Sequence, residues 1–223
     1  MDPLAGALVA LLAAPPGGAP GGGHGHRHGR HGNPEDLGRY IARMEDPERA
    51  SWQRPDEVVA ALGLRPGDVA CDVGAGPGYF TLRLSRAVGP GGRVWAVDVE
   101  PEMIAALRER LERAGARNVT PVLARADDPL LPPAACDVVL VVDTFHHFPD
   151  GVAYLRGLAA RLRPGGRIVN VDFHKREMPV GPPIENKVAR EDFLAAARAA
   201  GLAVVEEKTF LVHQYFFVLA PQR

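Results

Sequence analysis

The stretch VACDVGAGPGYFTLRL, residues 69–84, decides the fold. It opens as a short apolar run, Val69–Val73, that carries one acid, Asp72. It continues through glycines at alternate positions, Gly74, Gly76 and Gly78, and ends in a helical pattern read as a helix from Tyr79 to Val88. A short apolar run, then turn residues, then a 3.6-residue periodicity reads as strand, tight loop and helix. Glycines in such a loop let the backbone approach a ligand that a side chain would block. In an open parallel sheet the loop lies at the carboxyl end of its strand, where ligands bind if the strand order reverses there.

The same alternation extends in both directions. Upstream, PEDLGRYIARM (34–44) and RPDEVVAALGL (54–64) read as two helices. Downstream, RVWAVDV is a strand, and Pro101–Ala114 a helix with Met103, Ile104, Leu107 and Leu111 on one face. VTPVLA and DVVLVVDTF are strands, VAYLRGLAARL is a helix closed by RPGG, and RIVNVDF is a fifth strand. REDFLAAARAAGL gives another helix, followed by AVVEEKTF and HQYFFVLA, close enough in sequence to pair antiparallel. Alternating strands and helices predict an α/β, doubly wound, Rossmann-like fold whose sheet is mostly parallel with an antiparallel last strand.

With 223 residues, 46% apolar content and a net charge of -1, the chain has one domain's worth of core and no bias toward polyanions, so no nucleic acid is expected. Residues 1–33 differ in composition. APPGGAPGGGHGHRHGRHG cannot bury enough surface to order itself and is expected to be disordered, leaving 34–223 as the folded domain. The apolar run LAGALVALLAA has the length of a signal-peptide core, is too short to span a membrane, and is preceded by no basic residue. His24, His26, His28 and His31 could collect a borderline metal, but the tract has no framework to fix ligand geometry, and a polar tail is the preferred reading. Cys71 and Cys136 sit in apolar runs without metal-ligand spacing and are expected to be buried free thiols.

The loop also constrains the ligand. A dinucleotide fingerprint would be Gly-x-Gly-x-x-Gly, but here the third glycine comes one residue early and Tyr79 stands at the sixth position. Asp72 beside the loop would repel a pyrophosphate and suits a ligand carrying positive charge. Asp98, twenty residues beyond Gly78, stands where a carboxylate can accept from both hydroxyls of a ribose.

With DVGAGPG, the second acid and the terminal hairpin, the chain from about Pro55 onward resembles the small-molecule branch of the class I S-adenosylmethionine-dependent methyltransferases, of the type 11 kind. That resemblance implies a seven-stranded sheet and S-adenosylmethionine as cofactor. It puts Asp72 near the amino group of the methionine moiety, with Gly74, Gly76 and Gly78 shaping the turn beneath it. Asp98 would hold the ribose, Val99 and Met103 would pack on the adenine, and Asp127 in RADD is the candidate for the adenine amino group, since Arg125 occupies the commoner acid position. Asp143 opens DTFHHFPD, which is similar to a segment facing the methionine end of the cofactor in that family.

Methyl transfer from a sulfonium is an in-line displacement that positioning can accelerate without much chemistry from the protein. A base matters when the acceptor must lose a proton, and His146 is the first candidate, followed by His147, His174 and Tyr215. The acceptor is expected to be a small molecule. Arsenite is disfavoured, because the relatives that methylate it use several cysteines. The long FHKREMPVGPPIENKVARED connection and the helices from Pro34 to Leu62, with Trp52, are expected to cover the site. Two other classes stay open: a nicotinamide-dependent oxidoreductase, against which the glycine spacing speaks, and a degenerate fold acting as a metal-responsive or partner-binding module. Because S-adenosylmethionine is made in the cytosol, a cytoplasmic location is expected, with export or tethering by the N-terminal apolar run as the alternative.

Overall fold

The computed structural model describes residues 37–222; the expected disordered segment 1–33, with its apolar run and four histidines, lies outside them. Each apolar run becomes a strand of one seven-stranded sheet: β1 Val69–Val73, β2 Arg93–Asp98, β3 Val119–Leu123, β4 Cys136–Val142, β5 Leu162–Phe173, β6 Leu202–Lys208 and β7 Gln214–Pro221. Their order is β3-β2-β1-β4-β5-β7-β6. Neighbours among the first five are parallel, and β7 runs antiparallel to both β5 and β6. The order reverses between β1 and β4, so the loops after these two strands flank the crevice where such sheets bind ligands.

Helices cover both faces because the central strands are apolar on both. Val139 and Val141 of β4 join one core with Leu155 and Leu158 of α6 (Gly151–Ala159) and Phe193 of α7 (Arg190–Ala199). Val138 and Leu140 face the other side, against Val58 of α3 (Pro55–Ala61) and Leu84 and Val88 of α4 (Thr81–Val88). A parallel strand buried on both faces reads as a continuous apolar run, as this one does. Helix α5 (Pro101–Ala114) packs Ile104, Leu107 and Leu111 beside β2, and α1 spans Leu37–Met44.

Several expectations are corrected. An unforeseen helix, α2 (Arg49–Gln53), precedes α3; the residue before a proline is driven out of the right-handed helical region, and Arg54, at φ 48°, separates the two. Helix α4 starts at Thr81, not Tyr79, since the turn over residues 76–80, with Gly78 at φ 96°, has to finish first. RPGG does not close a helix but lies inside β5, where the β4 register shifts between Cys136 and Val138. A Cβ at Gly166 would stand 2.9 Å from the Cys136 carbonyl oxygen, and glycine removes that conflict.

The cysteines are not free thiols: Cys71 of β1 and Cys136 of β4 form a disulfide. They lie 65 residues apart, and only the strand order, which puts β4 directly beside β1, brings their Cα atoms to 6.0 Å. Among the described residues no helix is long and apolar enough to cross a membrane.

The bond predicts its own stability effect. Closing a loop of that length removes about 4 kcal/mol of unfolded-chain entropy. A Cys71→Ala, Cys136→Ala double variant should lose stability of that order in urea titration, while thiol titration of the unfolded, unreduced native chain should find no free sulfhydryl. A full pair of reactive thiols would contradict the bond.

Candidate active site

The glycine loop is tied to the end of β2. The Gly74 and Ala75 amides both donate to the Val97 carbonyl, at 2.8 and 2.9 Å, and the Gly76 amide donates to Asp98 Oδ2 at 2.7 Å. Asp98 Oδ1 accepts from the Glu100 amide at 3.0 Å, so this carboxylate fixes both loops at the edge of the crevice. Glycine is required at Gly74, where φ is 78° and a Cβ would fall 2.2 Å from Thr144 Oγ1, and at Gly78, where it would strike Leu107. The loop after β1 therefore touches the loop after β4 directly.

Asp72 is buried, and Thr81 Oγ1 donates to its Oδ2 at 2.6 Å. Burial raises its pKa from 3.8 to about 6. Asp143, just past β4, takes a left-handed φ of 52°. Its carboxylate accepts from Gln214 Nε2 at 2.6 Å and Gln53 Nε2 at 3.0 Å, and Arg49 Nη2 stands 3.7 Å away. Burial, then the charge of Asp172, raise the Asp143 pKa from 3.8 to about 7. Helix α2 thus closes over the crevice through Arg49 and Gln53. The Arg49 guanidinium lies 4.2 Å from the Tyr79 ring centre, its Nη1 donates to the Met44 carbonyl at 2.8 Å, and Trp52 packs on Phe173 at 5.5 Å. The Met44 sulfur in turn lies where a Cβ at Gly76 would touch it.

The base candidates separate by position. Phe145–His147 form a 3-10 turn after β4. His146 is mostly buried, with Nδ1 4.0 Å from Asp172 Oδ2, while His147 is exposed and stacks on the His146 ring at 3.9 Å. His174 follows β5, and its ring lies 5.9 Å from that of Tyr215. Burial, then Arg176 and Arg190, hold the His174 pKa below its usual value. Tyr215 is buried in β7, and burial, then Asp172 and Asp143, keep its hydroxyl protonated. Met103 is buried and Val99 is 44% exposed at the end of β2. Asp127 is exposed and paired with Arg125 at 3.3 Å. Sequence reasoning missed Arg49, Gln53, Asp172 and Gln214. The only signal for the first two was the reading of the helices from Pro34 to Leu62 as a cover.

A cavity of about 1060 Å³ lies away from these residues, among Gly67, Arg86, Gly92, Arg93, Arg117 and Arg163. No acid or histidine lines it, so the chemistry belongs to the crevice at the strands' carboxyl ends. A smaller one, about 330 Å³, opens beside His174, Arg176 and Arg190.

The crevice fits an S-adenosyl cofactor in its own terms. It offers a loop that only glycine can line, an acid at the end of β2 and several carboxylates toward a positively charged ligand. Comparison with known proteins agrees. Residues 70–166 match the family model described as a methyltransferase domain. The ubiquinone/menaquinone biosynthesis C-methyltransferase UbiE of Pasteurella multocida is 34% identical over 125 residues, 56% of this chain and 46% of that protein. The protein-L-isoaspartate O-methyltransferase of Aeropyrum pernix is 35% identical over 125 residues, 55% of this chain and 42% of that protein. A crystal structure of a SAM dependent methyltransferase from Aquifex aeolicus superposes with a TM-score of 0.78 at 26% identity, covering 81% of this chain and 96% of that one. The chain spans about half the length of the curated relatives it matches. The match over residues 70–166 and these likenesses support a class I, type 11-like S-adenosylmethionine-dependent methyltransferase domain, with S-adenosylmethionine as its cofactor.

The raised acids predict a pH signature. Asp143 and Asp72 are uncharged below about 7 and about 6 and charged above. A sulfonium is bound better by the charged forms, so S-adenosylmethionine affinity should rise about tenfold from pH 5.5 to 8, and that of uncharged-sulfur S-adenosylhomocysteine less. Without ligand the trend reverses. The folded state holds protons that the unfolded chain, with carboxyls near 3.8, has released, so the stability tied to these groups is lost as pH rises through 6 and 7. Calorimetric titrations and urea melts across that range test both slopes; flat profiles would show these acids to be charged throughout.

Proposed function

We propose that the chain methylates a small molecule whose nucleophilic atom, a phenol oxygen or an enol-type carbon, gives up a proton to His146. The observation that carries this reading is the place of His146: mostly buried, on the turn that directly follows β4, beside Asp143 and within 4.0 Å of a buried carboxylate. The bound cofactor supplies a methyl group already activated on a sulfonium. The residues' task is to hold, orient and deprotonate.

Asp98 and the glycine loop hold the ribose end, and Asp72 faces the amino group of the methionine moiety. Val99 and Met103 flank the adenine, with Asp127 the candidate for its amino group. Asp143 stands toward the sulfonium, where its charge, steadied by Gln53, Gln214 and Arg49, favours a cation. Helix α2 excludes water from that end, and Trp52 with Phe173 offers the acceptor an aromatic wall. His174 and Tyr215 lie further along the same edge, and His147, on the outside of the turn, supports His146. Several relatives are ubiquinone/menaquinone biosynthesis C-methyltransferases, which supports an acceptor that reacts as a phenolate or enolate. In this reading residues 34–223 are the catalytic domain and 1–33 a separate segment. The protein works in the cytoplasm, with a disulfide shielded from soluble reductants by complete burial of both cysteines.

Asp98→Ala should weaken S-adenosylmethionine binding by roughly 2 to 4 kcal/mol, since two charge-assisted hydrogen bonds to the ribose are lost. Calorimetry on the full chain measures it. Unchanged affinity in a folded variant would move the ribose elsewhere.

A further inference from the structure

β5 turns Asn170 and Asp172 onto the face that β7 lines with Tyr215 and Phe217, and Asp172 pairs directly with Tyr215 across the two strands. Asp172 is 1% exposed. Its Oδ1 accepts from the Phe173 amide at 2.8 Å, while its Oδ2 has no hydrogen-bond partner. Two other buried polar atoms nearby are equally unmatched: His146 Nδ1, 4.0 Å from that oxygen, and the Tyr215 hydroxyl. Burying a carboxylate oxygen without a donor is costly, so this arrangement needs a reason. Asp143 at the end of β4 and Tyr215 on β7 both feel the charge of Asp172, His147 stacks on the His146 imidazole, and the His174 ring lies 5.9 Å from that of Tyr215. Among them only Asp172 stands within ion-pair distance of a His146 nitrogen in the structure.

We propose that Asp172 is the positioning residue for His146: it accepts the Nδ1–H, fixes that tautomer, and leaves the Nε2 lone pair free as the base. Which ring nitrogen carries the proton is set by the bond the other makes. Hydrogen bonds of this kind are often long in the unliganded protein and tighten with ligand. The inference rests on the methyl-transfer reading for its use of Nε2. There the acceptor's proton goes to Nε2, its electron pair takes the methyl, and a neutral thioether departs. The imidazolium so formed faces the Asp172 carboxylate. Tyr215, held protonated, closes the far side of that carboxylate without competing for the proton.

The tautomer can be read without knowing the acceptor. Long-range proton–nitrogen correlation spectra of the full chain, labelled with nitrogen-15 in histidine, are recorded at pH 8 with saturating S-adenosylhomocysteine, and His146 is assigned by its loss in His146→Ala. Neutral His146 protonated on Nδ1 is the expected result. That signature should be lost in Asp172→Ala, with the proton moving to Nε2, and kept in Asp172→Glu. Wild-type His146 protonated on Nε2, or an Nδ1–H that survives Asp172→Ala, would overturn the proposal; the wild-type spectrum decides even if the alanine variant does not fold. Failure of S-adenosylhomocysteine to bind while His146 keeps its Nδ1–H would leave the hold of Asp172 standing and count instead against the methyl-transfer reading.

Discussion

Burying carboxylates at one edge of a sheet is the constraint on which this molecule turns. Asp72, Asp98, Asp143 and Asp172 all stand at the carboxyl ends of β1, β2, β4 and β5, and each is wholly or largely removed from water. One guanidinium, that of Arg49, reaches into the group, and its own burial lowers its pKa against the pull of Asp143. Such an edge is electrostatically unsatisfied by the protein alone, and a cationic ligand is the natural complement. The rest of the crevice follows: the Thr81 hydroxyl on Asp72, the backbone amides on Asp98, and the paired glutamines on Asp143 make each charge tolerable without neutralising it.

The parts of this arrangement that are local along the chain are legible in the sequence. Val69–Val73, the three glycines and Asp98 follow from the strand, turn and spacing rules, because a strand end and the loop after it are neighbours along the chain. Asp143 and His146 are reachable the same way, from their place after an apolar run. Gln53 and Gln214 are not. They stand 161 residues apart and meet only because α2 folds over the edge between β4 and β7. Asp172 reads as the polar end of a strand; its cross-strand neighbour Tyr215 comes from the antiparallel return of β7. The cysteines mislead for the same reason, since apolar context speaks to burial and says nothing about which strand lies alongside.

Asp127 is the reverse case. Its expected role comes by analogy with a motif this chain departs from, and the structure pairs it with Arg125 on an exposed turn. The arginine that occupies the usual acid position takes up its charge.

The Cys71–Cys136 bond spans β1 and β4, the two strands whose reversal of order opens the crevice, and Cys71 immediately precedes Asp72. Both cysteines are fully buried, and the two come together only once β1 and β4 are paired. The bond can therefore be made or broken only by a chain that opens there. Its state in any one molecule is a memory of the surroundings in which that molecule last folded, carried unchanged into whatever compartment it later occupies.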